Sequence, residues 1–322
     1  MEGLAGRKRW ILLAIAVAWI ALAQGLGLVL VEVVPRAFIR AIGLHGYFSL
    51  VLVLVTTLGL LAVRFGVGET RDAVWGTSPA VWALLAALLV APVVMATSTY
   101  LGFKIALPTL IEELQRGGAA EANENTGSYG KAIVASSLPV TLLWGIVLAP
   151  IAEELLFRGA LWTAITRLTT PTRKEEGAPA SLDATFIEES LVVRGLRASA
   201  LWFRTGGVAT VVTAAVFAAM HADQAGGAGI VRVVQTACLG LALGLVRHHS
   251  GGIAAPVLLH ASFNLMSLAR LRKWFVSDFW PKPLPVPVLY WQLAAAGAVG
   301  LLGIAVLLRL RRRSGGRPSE VG

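Results

Sequence analysis

The 322-residue chain is predicted to be an all-α, polytopic membrane protein: a bundle of about eight transmembrane helices. Three observations carry this. Hydrophobic residues make up 56% of the chain and charged residues only 14%, and mean hydropathy is +0.73, far from the composition of a soluble domain. Apolar runs such as Trp10–Val34 are long enough to cross ~30 Å of hydrocarbon at 1.5 Å per residue. These runs are also too long, and too poor in alternation, for the strands of a barrel. The single cysteine, Cys238, excludes a disulfide scaffold. The net charge of +10 gathers at the edges of apolar runs, where it signals topology and contacts anionic lipid, so nucleic acid is not expected as a partner.

The predicted segments are Trp10–Val34, Tyr47–Val63, Val81–Leu101, Ile133–Phe157, Gly207–His221, Ala228–Val246, Gly252–Leu268 and Val286–Leu308. Arg7, Lys8 and Arg9 before the first run resemble a signal peptide, with Ala21-Leu22-Ala23 as a cleavage site. The run continues well past it, which favours an uncleaved helix. Counting Lys and Arg in the loops places both termini in the cytoplasm, with Arg309, Arg311, Arg312 and Arg313 holding the C-terminus inside, in a cell (inner or plasma) membrane. The cluster Arg270-Leu-Arg272-Lys273 on the outer side goes against that count.

Three parts follow: residues 1–130 with the N-terminal helices, 131–270 as a core with an insertion at about 167–206, and 271–322 with the last helix and a basic tail. Lys104–Lys131, with Glu112, Glu113, Glu121 and Glu124, reads as an interfacial loop. Within the insertion, Thr185-Phe-Ile-Glu188 resembles a capping box opening a short amphipathic helix. Cys238 reads as a core residue, His248 and His249 as boundary residues, and Trp10, Trp274, Trp280 and Trp291 as interfacial anchors.

Ionisable groups inside a bilayer cost about 2.5–3.5 kcal/mol each on insertion scales, so they need a reason. Three sites have them. Pro150-Ile-Ala-Glu153-Glu154-Leu-Leu-Phe-Arg158 closes the fourth segment; Glu154 and Arg158, four apart, face each other with the acid N-terminal. Glu153 sits about 100° round the helix and needs another partner. Pro150 favours a kink or a fresh helix start. Phe217-Ala-Ala-Met-His221 closes the fifth segment, and His260-Ala-Ser-Phe-Asn264 lies within the seventh, imidazole and carboxamide on one face.

A carboxylate, two imidazoles and a carboxamide are the groups needed to activate a water and hold an oxyanion. Glu153 is the candidate general base, His221 shares the water and passes a proton to the leaving amine, and His260 and Asn264 are oxyanion donors. Two His and one Glu could also hold zinc. Metal-free chemistry is favoured, since no His-Glu-x-x-His occurs and Asn is a poor zinc ligand.

Glu153-Glu154-x-x-x-Arg158, Phe217-x-x-x-His221 and His260-x-x-x-Asn264, in this order on successive apolar segments, resemble the three motifs of the CPBP intramembrane proteases. That group includes the type II CAAX prenyl endopeptidases and the Abi and lysostaphin-resistance-like proteins. The resemblance runs over roughly Ile133–Met266. It implies an intramembrane peptidase with a water-filled cavity, with Glu153, His221, His260 and Asn264 catalytic and Glu154 and Arg158 supporting. The family has been described both as metalloproteases and as glutamate peptidases, which leaves the metal open. The stretch from Arg158 to Phe217 is longer than usual for the family, which bears on how the cytoplasmic mouth is covered.

The expected function is hydrolysis of a peptide bond in a membrane-associated polypeptide, prenylated or not. The alternatives are a transporter or channel with a Glu/His proton path, disfavoured by the lack of internal repeats, and a non-proteolytic, immunity-type member of the family.

Overall fold

The computed structural model describes residues 80–116, 137–169, 206–222, 225–272 and 288–314, with isolated positions between 13 and 76, and all regular structure among them is helical. Six elements carry the architecture. They are α1 (Val81–Gln115), α2 (Leu138–Thr169), α3 (Val208–Ala219), α4 (Gly226–Ser250), α5 (Ala254–Leu271) and α6 (Val288–Ser314). α1, α2 and α4 are long and apolar enough to cross a membrane, and α3 and α6 hold shorter apolar stretches. The first two predicted segments, the Thr185–Glu188 capping box, Trp10, Trp274 and Trp280 lie largely or wholly outside the described residues.

One expectation is corrected. Lys104–Gln115, read as loop, continues α1 as helix without a break. Hydropathy falls there because Lys104, Glu112 and Glu113 interrupt the apolar run. Helix formation needs no apolar face, and Leu, Ile, Glu and Gln are sound helix formers. Glu112 and Arg116 add an exposed i,i+4 pair at 3.5 Å.

The packing order is set by small residues. α4 runs antiparallel to α1: Gly102 lies against Val231, Gln235 Nε2 donates to Thr99 Oγ1 at 2.7 Å, and the Gly227 amide donates to Glu113 at 2.9 Å. α3 runs antiparallel to α4, with Ala214 against Gly240 and Thr210 against Gly244. A Cβ on Gly244 would come within 2.6 Å of Thr210, so close approach of the two backbones depends on glycine there. α6 seats Gly297 on the Leu89 carbonyl of α1. The common core gathers Met95, Leu156, Phe157, Phe217, Leu239, Leu243 and Leu259 between α1 to α5. Large apolar side chains such as Leu85, Leu88 and Leu245 remain exposed, as a lipid-facing surface requires.

Candidate active site

α2 is not a uniform helix. Two π-helical runs, Leu142–Leu148 and Leu155–Leu161, flank a short α-helical stretch, Ala149–Glu154, which carries both acids. π-turns cluster at functional sites because each changes the pairing register and leaves a carbonyl without its helical donor. In the first run the Ala149 amide reaches back to Trp144. The next residue is Pro150, which has no N–H, and so the Gly145 carbonyl is left free. Asn264 on α5 takes it, Nδ2 donating at 2.9 Å. In the second run the Trp162 amide reaches Phe157, and the return to α pairing passes over the Arg158 carbonyl. Arg247 Nε of α4 donates to that oxygen at 3.1 Å. Pro150 sits in the first turn of the short α-helical stretch that carries the acids, where the pairing register changes.

The Glu154–Arg158 pair predicted from the i,i+4 spacing forms, Arg158 Nη1 donating to Oε1 at 3.2 Å, with both side chains fully buried. Arg158 Nη2 donates to the Gly240 carbonyl at 3.0 Å, and its guanidinium lies 4.9 Å from the Phe217 ring centroid. Desolvating two charges costs several kcal/mol per ion, and these contacts offset it. Glu154 Oε1 also accepts from His260 Nδ1 at 2.9 Å, so one carboxylate oxygen fixes both the arginine and the imidazole.

That bond orients the His260 ring, pointing Nε2 at Glu153 Oε2, 3.8 Å away. This gap is too long for a hydrogen bond. Glu153 keeps 19% of its side-chain surface exposed, yet its Oε2 is buried and makes no hydrogen bond among the described residues. A buried carboxylate oxygen without a donor is costly unless something else binds it.

His221 lies in the turn after α3. Its amide shortens to the Ala218 carbonyl, which frees the Phe217 carbonyl for the imidazole, Nδ1 donating to it at 2.7 Å. A carbonyl only accepts, so Nδ1 holds the proton and Nε2 keeps a lone pair. The Phe217 ring stacks 4.5 Å from His221 and 5.7 Å, edge-on, from His260, spacing the two imidazoles. Glu153, His260 and Arg232 are near enough to act electrostatically on His221.

The structure thus brings Glu153, Glu154, Arg158 and His260 into one contact group and sets His221 beside it across Phe217. Asn264 is one turn further along α5, with one of its two N–H donors committed to Gly145. Gly240 and Arg247 also buttress the site, and the sequence reading passed over both. The Gly240-x-x-x-Gly244 spacing was the available signal for the first; Arg247 resembled an ordinary boundary cation. No three His, Cys, Asp or Glu side chains among the described residues converge as a metal would need. Both Nδ1 atoms are engaged, which leaves Nε2 as the free ring nitrogen of each imidazole.

Residues 135–266 match the family model described as Type II CAAX prenyl endopeptidase Rce1-like. The match contains all six residues singled out above and supports a CPBP-family protease, a hydrolase family, in a chain with three described helices long and apolar enough to cross a membrane. No curated protein and no solved structure matches the chain.

Proposed function

We propose, taking residues 135–266 as a CPBP-family protease domain, that the chain is an intramembrane endopeptidase acting on a membrane-associated polypeptide, prenylated or not. The observation that carries this reading is the buried Oε2 of Glu153, which accepts no hydrogen bond among the described residues and faces Nε2 of His260. A reacting water fits the chemistry of that place, since Glu153 can accept its proton and the flanking imidazoles can share its hydrogen bonds.

In the reaction proposed, Glu153 takes a proton as the water oxygen bonds to the scissile carbonyl carbon. The carbonyl π pair moves onto oxygen. His260 donates to that oxyanion from Nε2, which requires both ring protons, with Nδ1–H held by Glu154. Before the attack the two carboxylates balance the two cations, Arg158 and a doubly protonated His260; once Glu153 holds the proton, the oxyanion carries the second negative charge. Asn264 offers its second N–H. As the oxyanion pair re-forms the carbonyl and the C–N bond breaks, the proton held by Glu153 passes by way of His221 Nε2, whose ring is fixed by its Nδ1–H bond to Phe217, to the leaving nitrogen. Each oxyanion donor is worth roughly 10²–10³ in kcat. The inner or plasma membrane location, about eight spans and two cytoplasmic termini belong to the same reading, supported by hydropathy and the Lys/Arg distribution.

The test is cleavage of a quenched peptide ending in a prenylated Cys-aliphatic-aliphatic-X sequence by purified protein in lipid nanodiscs. A panel of unprenylated transmembrane peptides is run beside it, each with and without chelator. Glu153→Gln should abolish cleavage and leave thermal unfolding unchanged; a retained rate would sink the assignment. A proton path would instead give flux in proteoliposomes that depends on Glu153.

A further inference from the structure

We infer that Arg247 is a positioning residue for the reaction: it locks the second π-helical run in register and, through Arg158 and Glu154, fixes the direction of the His260 ring. This rests on the peptidase reading and adds a residue to that same site.

Arg247 lies in the last turn of α4, is only 5% exposed, and pairs with no carboxylate among the described residues. A buried cation without a counter-ion is costly, so its place needs a reason. Its contacts supply one. Nε donates to the Arg158 carbonyl at 3.1 Å, and the guanidinium carbon lies 5.2 Å from the Trp162 ring centroid. Trp162 is itself held, Nε1 donating to Thr210 Oγ1 at 3.2 Å. Gly76 packs so near Nη1 that a Cβ there would come within 2.7 Å of it. The guanidinium is therefore fixed in place, with its Nε committed to one main-chain oxygen.

That oxygen is the one the π-run releases, because the Trp162 amide passes over it to reach Phe157. Without Arg247 the carbonyl would either stay orphaned, at about 1–3 kcal/mol, or recover the Trp162 amide and restore α pairing. The second course shifts the pairing by one residue. It turns the acid-bearing stretch against the rest of α2 by roughly 100°. Glu154 and Arg158 would then leave His260 on α5 and the Gly240 carbonyl on α4. Gly240 and Arg247 stand two turns apart on α4, and between them they hold Arg158 by its side chain and by its backbone. The first π-run is closed in the same way, by Asn264 on the Gly145 carbonyl. The stretch that carries both acids is thus held at each end by a side chain from another helix. Arg247 touches no reacting group; its effect passes from Arg158 to Glu154 Oε1, to His260 Nδ1, and so to the direction of Nε2.

The test compares Arg247→Met, Arg247→Lys and Arg247→Gln in the full chain in nanodiscs, with the quenched prenylated peptide as substrate. Glutamine places a neutral N–H donor as many bonds from Cα as Arg Nε. Lysine keeps the charge but puts a methylene there, and methionine removes both. Arg247→Met and Arg247→Lys should lower kcat by about 10²-fold with KM within a few-fold, and Arg247→Gln should recover at least about ten-fold of that loss. Glutamine no better than methionine, lysine at least as active as glutamine, or a change in KM alone overturns the inference. Should the methionine variant not fold in a thermal melt, the glutamine–lysine comparison decides. Hydrogen exchange of the amides of residues 155–169, followed by mass spectrometry, needs no activity. It should quicken in the lysine variant and stay near wild type in the glutamine one, and equal exchange in the two overturns the lock. Glu153→Gln is assayed alongside. Cleavage retained there removes the peptidase reading, while the exchange pattern still judges the lock; Glu153-dependent cleavage with glutamine no better than methionine removes only the role of Arg247.

Discussion

Glu153 and Glu154 are neighbours in sequence, and they occupy opposite environments. Glu154 faces the half of the bundle that ends at Trp162, where its Oε1 accepts from Arg158 and His260, and the Gly240 carbonyl and Arg247 extend the contacts, while its Oε2 and Arg158 Nε have no hydrogen bond among the described residues. Glu153 faces the half that ends at His221, where its Oε2 lacks a donor and its neighbour is a non-bonded imidazole. Burial does not separate the two acids; what separates them is that Glu154 holds two donors on its Oε1, whereas Glu153 meets His260 across a non-bonded 3.8 Å.

The largest effect that sharpens this contrast comes from the pair itself. Removing one partner of a buried ion pair costs about 3–5 kcal/mol, because the other charge is left uncompensated. Glu154→Gln or Arg158→Met should therefore lower the unfolding midpoint strongly in a detergent melt, and should lose activity with the fold. Glu153→Gln should leave the midpoint unchanged while cleavage disappears. Equal loss of stability in the two glutamine variants would erase the distinction between the halves.

A smaller effect tests the half around Trp162 by its packing. Gly244→Val drives a branched side chain into Thr210, and overpacking of this kind costs about 1–3 kcal/mol. Because α4 also carries the Gly240 carbonyl that holds Arg158, the same change should weaken activity along with stability. In the half that ends at His221, Asn264→Leu leaves the Gly145 carbonyl without its donor, at about 1–3 kcal/mol, and removes the oxyanion donor proposed for Asn264. Its kcat should fall by roughly 10²–10³ while KM stays within a few-fold. Asn264→Asp keeps the shape but replaces the donor by an acceptor, so it should be no better than leucine.

These contrasts explain which parts of the molecule the amino-acid order discloses. The Glu154–Arg158 contact follows from four-residue spacing, and the buried helices follow from hydropathy, because both depend on local periodicity. The environment of Glu153 does not: it depends on how α5 crosses α2, and so on His260 turning its Nδ1 to Glu154. His260 and Asn264 do share a face, as their spacing requires, yet they reach different partners, since α2 carries a freed carbonyl where a regular helix would have none. The two π-runs leave no mark in an apolar sequence, although Pro150 after Leu142–Leu148 marks where one ends. Gly240-x-x-x-Gly244 was legible as a close-approach motif. Its second role, presenting a carbonyl to Arg158, needed coordinates.

The smallest effect belongs to the rim at the His221 turn. Glu113 of α1 accepts from the Gly227 amide at 2.9 Å, close against Gly226, so it caps α4 from another helix. A side chain in that position satisfies an orphan N–H, and its charge complements the positive end of the helix dipole. The two contributions separate by substitution. Glu113→Ala removes both and should cost about 0.5–2 kcal/mol, the range for losing an N-cap. Glu113→Gln keeps an acceptor and removes only the charge, for about 0.3–1 kcal/mol at low salt, with the difference from wild type shrinking as salt rises. The cap also secures the end of α4 that follows the His221 turn. A rise in KM with kcat preserved would place its influence on entry to the site. A fall in kcat with KM preserved would instead tie it to the position of His221, and the rim and the reacting groups would then form one rigid unit.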